Sequence, residues 1–163
     1  LGINHNITDL RQAEDSLAHI ISSANCLLWY ADVQQEDEAL IWDIHITSES
    51  AARRFMPLKM EVGQSYESAW DAAIYPEDMA ELRKHTENAL SAGASGYSYE
   101  TRILREDGKT RWLSFDVRVI SALENQWGLV GICTDITERK LLEEVLRQSN
   151  EELESRVQER AAA

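Results

Sequence analysis

The chain has 163 residues, 44% hydrophobic and 28% charged, which suits one globular domain with extensions. Its formal net charge of -13 argues against a nucleic-acid partner, and no apolar run reaches the ~18 residues of a membrane span. The two cysteines and four scattered histidines lack the spacing of a disulfide framework or a metal site. We therefore expect a cytoplasmic module, whose parent protein could be anchored in a membrane elsewhere.

The first residues repeat a motif found near the end of the chain. The segment 131–139 (GICTDITER) matches the segment 2–10 (GINHNITDL) in a degraded form, and Glu14 and Leu17 match Glu143 and Leu146 at the same spacing. Self-similarity over such a long period indicates tandem domains. Residues 1–8 are therefore interpreted as the tail of an upstream copy, and the chain as a segment of a longer modular protein.

Residues 9–23 form the first predicted element, an amphipathic linker helix with Thr8 as its N-cap. Strands follow at 27–33 and 40–47, and the polar residues between them predict a hairpin. The region 48–93 lacks strand-like alternation and predicts short helices. The best defined of these begins at Pro76, because proline suits the first helical turn, and Gly93 can end it.

Two alternating runs come next, at 97–105 and 111–120, joined by Asp107-Gly108, a pair typical of tight hairpin turns. A last strand at 127–136 leads through Thr137, the predicted N-cap, into a highly charged helix that reaches the C-terminus.

The segments 105–112 (REDGKTRW) and 135–139 (DITER), with the helix start at 75–78 (YPED), resemble a PAS domain with its PAC segment. The resemblance covers residues 24–137. It implies an α+β fold in which a five-stranded antiparallel sheet of order 2-1-5-4-3 carries helices on one face. It also implies a sensory or dimerisation role, coupled to an effector.

Side-chain alternation, with the family's register, turns one face of each strand toward the helices. We expect a mostly apolar cradle there, and its candidate ligand-pocket residues are Trp29, Tyr99, Thr101, Leu113, Phe115 and Cys133. The bulky rings could fill the cradle themselves, so we expect no cofactor. A flavin or another small organic ligand is the alternative.

Two specific cofactors can be weighed from the residues. The reactive-cysteine motif of flavin photosensors is missing between Ser48 and Gly93. Haem-binding relatives use a histidine on the long helix, but the corresponding position falls near Leu82 rather than at His85, so haem is disfavoured. Cys26 and Cys133 should lie on neighbouring strands. A redox role is conceivable, but we favour two buried structural thiols.

The joint between sheet and exit helix is predicted at Asp135 and Thr137, whose side chains can bond the exposed N–H groups of a helix start. Residues 138–163 then form a signalling helix. A heptad seam runs through Leu146, Asn150, Leu153 and Val157, and one asparagine at an a position favours a parallel dimer. An upstream stripe at Leu142, Val145 and Leu146 does not share the phase of this seam, which would allow two registers.

No catalytic constellation is evident, so we expect no enzyme in this segment. The leading prediction is a homodimeric sensory module that signals to a histidine kinase in a two-component system, because segment 150–160 resembles the linkers before kinase dimerisation helices. A ligand-free dimerisation spacer and the input domain of a diguanylate cyclase are the alternatives.

Overall fold

A computed structural model describes residues 25–37 and 39–161. The predicted upstream tail, the helix at 9–23 and its Thr8 cap lie outside them. The elements, in chain order, are β1 Cys26–Glu36, β2 Ala39–Ile46, α1 Glu49–Phe55, α2 Tyr66–Ala73, α3 Pro76–Ser91, β3 Gly96–Leu104, β4 Thr110–Leu123, β5 Gln126–Asp135 and α4 Thr137–Ala161. Within the described residues the predicted strands and helices are confirmed. β1 and β4 are each four residues longer than predicted, and the other three strands begin and end one residue earlier.

The five strands form one antiparallel sheet of order β2-β1-β5-β4-β3, which confirms the predicted fold. The first and last strands of the domain therefore pair at its centre, with Trp29 opposite Gly131. The β4–β5 register shifts between Val119 and Ser121, where a bulge ends the regular alternation.

Local sequence signals set the helix ends. Ser48 and Ser65 are N-caps whose hydroxyls accept backbone N–H groups at the starts of α1 and α2. Pro76 opens α3, and Gly93, with φ of +66°, ends it in the left-handed conformation expected of a C-terminal glycine. In the β3–β4 turn the positive φ is taken by Gly108.

The core lies between one face of the sheet and the helices α1 to α3. It is built from the inward side chains of the strands together with Ala52, Tyr66 and Leu90 of the helices and Met56 directly after α1. Val117, Ile103, Leu113 and Cys133 are fully buried, as the alternation predicts. Within the described residues, every helix is too short or too polar to cross a membrane.

Candidate functional site

A cavity of 480 Å³ lies between the sheet and the helices. Its sheet side is formed by β1, β2 and one inward side chain from each of β3, β4 and β5, and its helix side by α2 and α3. Nineteen residues contribute: Leu27, Trp29, Ala39, Leu40, Trp42, Ile44, Ile46, Glu67, Trp70, Asp71, Ile74, Met79, Leu82, Arg83, Thr86, Glu87, Tyr99, Phe115 and Cys133. The volume falls in the range of about 300 to 1,000 Å³ typical of small-molecule sites.

Four of the six predicted pocket residues line this cavity, namely Trp29, Tyr99, Phe115 and Cys133. The other two, Thr101 and Leu113, are buried but do not line it. Thr101 is instead placed beside the start of α3, where its hydroxyl lies 3.5 Å from Oδ2 of Asp78. Alternation along a strand thus identified the inward face, but it could not show which inward residues border open space.

Aromatic rings make the floor of the cavity stiff. Tyr99 and Phe115 stack nearly parallel, with centroids 4.7 Å apart and planes at 6°. Trp29 and Trp70 approach Phe115 edge-on, at 6.5 and 6.4 Å. Each geometry is favourable for aromatic pairs, so these rings hold one another in place. Despite their bulk, they leave the cavity open, contrary to the expectation that they could fill it.

Trp29 rests directly on the backbone of Gly131. A Cβ atom at that glycine would lie 2.3 Å from Cε2 and Cζ2 of the indole, which leaves no room for any side chain. The indole Nε1 is buried and has no hydrogen-bond partner among the described residues. A buried donor left unpaired costs roughly 1–3 kcal/mol, so an acceptor atom that reached it would be stabilised.

The sheet side of the cavity is electrically neutral. Burial raises the pKa of the Cys133 thiol and of the Tyr99 hydroxyl well above their usual values, so both stay protonated. The charged lining residues, Glu67, Asp71, Arg83 and Glu87, all belong to α2 and α3. Burial raises the pKa of Asp71 and the nearby Arg83 partly opposes the shift.

The site carries no constellation for catalysis or metal binding among the described residues. A protonated, inaccessible Cys133 is not a nucleophile, and groups of three metal-ligating side chains are missing from this part of the chain. His85 is exposed and packs edge-on against Tyr97 at 5.9 Å rather than lining the cavity. Leu82 lines it, at the position that the sequence comparison with haem-binding relatives indicated.

The two cysteines lie on adjacent strands but on opposite faces of the sheet. Leu27 pairs with Cys133 and Cys26 pairs with Thr134, so Cys133 points into the core while its diagonal neighbour Cys26 points outward. The thiols therefore face away from each other.

The joint at Asp135 and Thr137 is built differently from a simple N-cap. Thr137 is the first helical residue, and its N–H and hydroxyl both donate to Oδ1 of Asp135, at 2.9 and 2.6 Å. The hydroxyl oxygen also accepts the N–H of Trp112 from β4, at 2.9 Å. Asp135 thus caps the helix, while Thr137 ties its first turn to the sheet.

Polar contacts that the sequence analysis missed link the same region to α3. Asp78, interpreted from sequence as a helix-start charge, forms a bidentate pair with Arg102 of β3. Glu100 accepts from Arg139 and Lys140 in the first turn of α4, each at 2.5 Å. Residues so far apart in sequence can be paired only once strand order and register are known.

Helix α4 leaves the domain with its apolar side chains uncovered. Leu146, Leu153 and Val157 of the predicted seam are 65%, 54% and 65% exposed, and Asn150 lies between them on the exposed surface. No residue of α4 is buried.

Comparison with known proteins agrees with the fold and the motifs. Residues 60–133 match the family model described as the PAS fold. A sensory box histidine kinase/response regulator from Burkholderia thailandensis has a similar structure, with a TM-score of 0.56, 23% identity, and coverage of 85% of this chain and 98% of that chain. The described residues therefore have the PAS fold.

Two further structures resemble the chain more loosely. A PAS domain from Colwellia psychrerythraea gives a TM-score of 0.46 at 19% identity, covering 77% of this chain and 98% of that chain. The N-terminal domain of a diguanylate cyclase with PAS/PAC sensor from Marinobacter aquaeolei gives 0.46 at 18%, covering 69% and 98%. No curated protein is matched by the sequence.

Proposed function

We propose that this PAS domain is a sensory and regulatory module that binds a small organic molecule in its cavity and passes the change to an effector through α4. The observation that carries the proposal is the 480 Å³ cavity, with a rigid aromatic floor and few polar groups. Apolar walls with a small number of orienting polar groups are characteristic of ligand pockets.

The lining favours a neutral or cationic ligand without a phosphate group. Three carboxylates, on Glu67, Asp71 and Glu87, face one guanidinium, that of Arg83. A flavin nucleotide would bring its phosphate toward this excess of negative charge, so we propose a small organic molecule that is neutral or cationic.

The proposed output is a dimer of α4 that feeds a histidine kinase in a two-component system. The exposed Leu146, Leu153 and Val157, with Asn150 at an a position, form a face that a second copy of the helix would cover. A diguanylate cyclase is the alternative effector, because similar linkers precede both. Sedimentation of the chain and of Leu153→Glu tests the dimer: we expect the variant to be monomeric, and a wild-type monomer at ~100 μM would contradict this part of the proposal.

A ligand-free dimerisation spacer is the second candidate. The stacking of Tyr99 on Phe115 supports it, because the two rings pack against each other without needing a ligand. In this case the cavity would hold only solvent, and the domain would act by dimerising through α4.

Native and denaturing mass spectrometry of the purified chain, with its absorbance spectrum, separates the two candidates. We expect a retained small molecule that is lost from Leu82→Trp, because Leu82 lines the cavity and the larger ring would fill it. Asn88→Trp is the matched control, since Asn88 lies on the exposed side of the same helix. An empty wild-type protein would favour the spacer.

A further inference from the structure

We propose that Arg102 and Trp112 form a relay that couples α3, which lines the cavity, to the first turn of α4. The relay residues are Asp78, Glu100, Arg102, Trp112 and Lys140. Use of the relay in signalling rests on the proposed function, whereas the coupling itself is a property of the domain and needs no ligand.

The first contact joins α3 to the edge strand β3. Asp78 stands in the first turn of α3, next to Met79, which lines the cavity. Its Oδ2 accepts the backbone N–H of Arg102 at 2.7 Å and the Nε–H at 3.0 Å, while Oδ1 accepts from Nη2 at 2.5 Å. The Asp78 side chain is 13% exposed, so the pair is shielded from water on most sides. Bidentate pairs of this kind fix orientation, and Arg102 must therefore follow any shift of the helix start.

The second contact crosses from β3 to β4. Arg102 is directly opposite Trp112 in the strand register, and its guanidinium lies 5.6 Å from the indole ring and 4.8 Å from the ring of Tyr75. These distances are within the ~6 Å of a cation–π interaction.

The third contact reaches the exit helix. The ammonium group of Lys140 lies 5.0 Å from the same indole and 2.5 Å from Oε2 of Glu100. Glu100 precedes Arg102 by two residues and so shares its face of β3. Lys140 in the first turn of α4 is thus held by the indole of Trp112 and the carboxylate of Glu100. Both residues are neighbours of Arg102, which Asp78 of α3 positions.

The size of the coupling follows from the weakest contact in the series. A cation–π contact at an exposed site contributes roughly a factor of two to five in an equilibrium constant. Breaking the Asp78–Arg102 ion pair should therefore raise the equilibrium constant for opening of the first turn of α4 by up to that factor. By linkage, opening of that turn should weaken the Asp78–Arg102 pair by the same factor.

Amide hydrogen exchange of residues 137–141, measured on the whole chain without added ligand, tests the relay. In Asp78→Asn we expect exchange there to rise about two- to fivefold. Lys140→Met removes the contacts of Lys140 with Trp112 and Glu100 but leaves Arg139 on Glu100. In this background the same change at Asp78 should have a smaller effect on residues 137–141 than it has in the wild type. Glu49→Gln is the control, because it breaks the Glu49–Arg53 ion pair of α1, outside the relay, and should leave these amides unchanged.

Two results would overturn the relay. Exchange could rise only in α3 and β3 of Asp78→Asn, or the effects of Asp78→Asn and Lys140→Met on residues 137–141 could multiply as those of independent sites do. Coupling observed in a protein that retains no small molecule would preserve the relay and contradict the sensory proposal, so the two failures can be told apart.

Discussion

Replacing Gly131 with alanine should destabilise the domain, although alanine is normally the better residue in a strand. The added Cβ would lie 2.3 Å from two carbons of the Trp29 indole, against about 3.5–4.0 Å for an ordinary carbon contact. The ring must therefore move by more than about 1 Å, within a wall already packed against Phe115.

The net cost follows from two opposing effects. Overpacking a core by one methyl group costs about 1–3 kcal/mol, while replacing glycine in a strand recovers about 0.5–1 kcal/mol of backbone entropy. We expect a net loss of about 1–2 kcal/mol. With a urea dependence of about 1–3 kcal/mol/M for a small domain, the urea midpoint should fall by about 0.3–2 M.

Urea unfolding followed by tryptophan fluorescence and circular dichroism measures this loss. Gly128→Ala on the same strand is the control, because its Cβ would meet the Ser121 hydroxyl at 2.4 Å, a group on a short side chain that can rotate away. In a Trp29→Phe background, Gly131→Ala should cost less, since the smaller ring leaves space. A Gly131→Ala protein as stable as wild type would refute the reasoning.

Asp135→Ala removes both hydrogen bonds that Thr137 donates to Asp135, and it should lower the free energy of unfolding by about 0.5–2 kcal/mol. Amide exchange at the start of α4 should become faster, and unchanged exchange there would contradict the proposed joint. Arg102 lowers the pKa of Asp78, and Lys140 lowers that of Glu100. The stability contributed by these two ion pairs is therefore present above the ordinary carboxyl pKa values and is lost as pH falls through the lowered ones. Urea midpoints measured down a pH series check the sign. Cys133 is fully buried at the wall of the cavity, so a thiol reagent too large to enter the cavity should label it only at the rate of domain opening, and rapid native-state labelling by such a reagent would count against its burial.

The fold could be predicted because its signals are local. Alternation gave the strand faces, Pro76 and Gly93 gave the bounds of α3, and the segments 105–112 and 135–139 tied the strand order to a known architecture. None of these inferences required a distance between residues far apart in the sequence.

The cavity and the polar contacts required such distances. Sheet alternation could not show that Leu82 and Arg83 of α3 would enclose the space above Trp29, because the gap between helix and sheet depends on how α3 docks. The Asp78–Arg102 pair was missed for the same reason. Asp78 looks like an ordinary helix-start carboxylate until β3 is placed beside it.

The most direct test of the account is whether the state of the cavity reaches the exit helix. Amide exchange of residues 137–141 should differ from wild type in Leu82→Trp, which fills the cavity, and should match wild type in Asn88→Trp on the exposed side of α3. Equal exchange in all three stably folded proteins would contradict the claim that α4 responds to what the cavity contains.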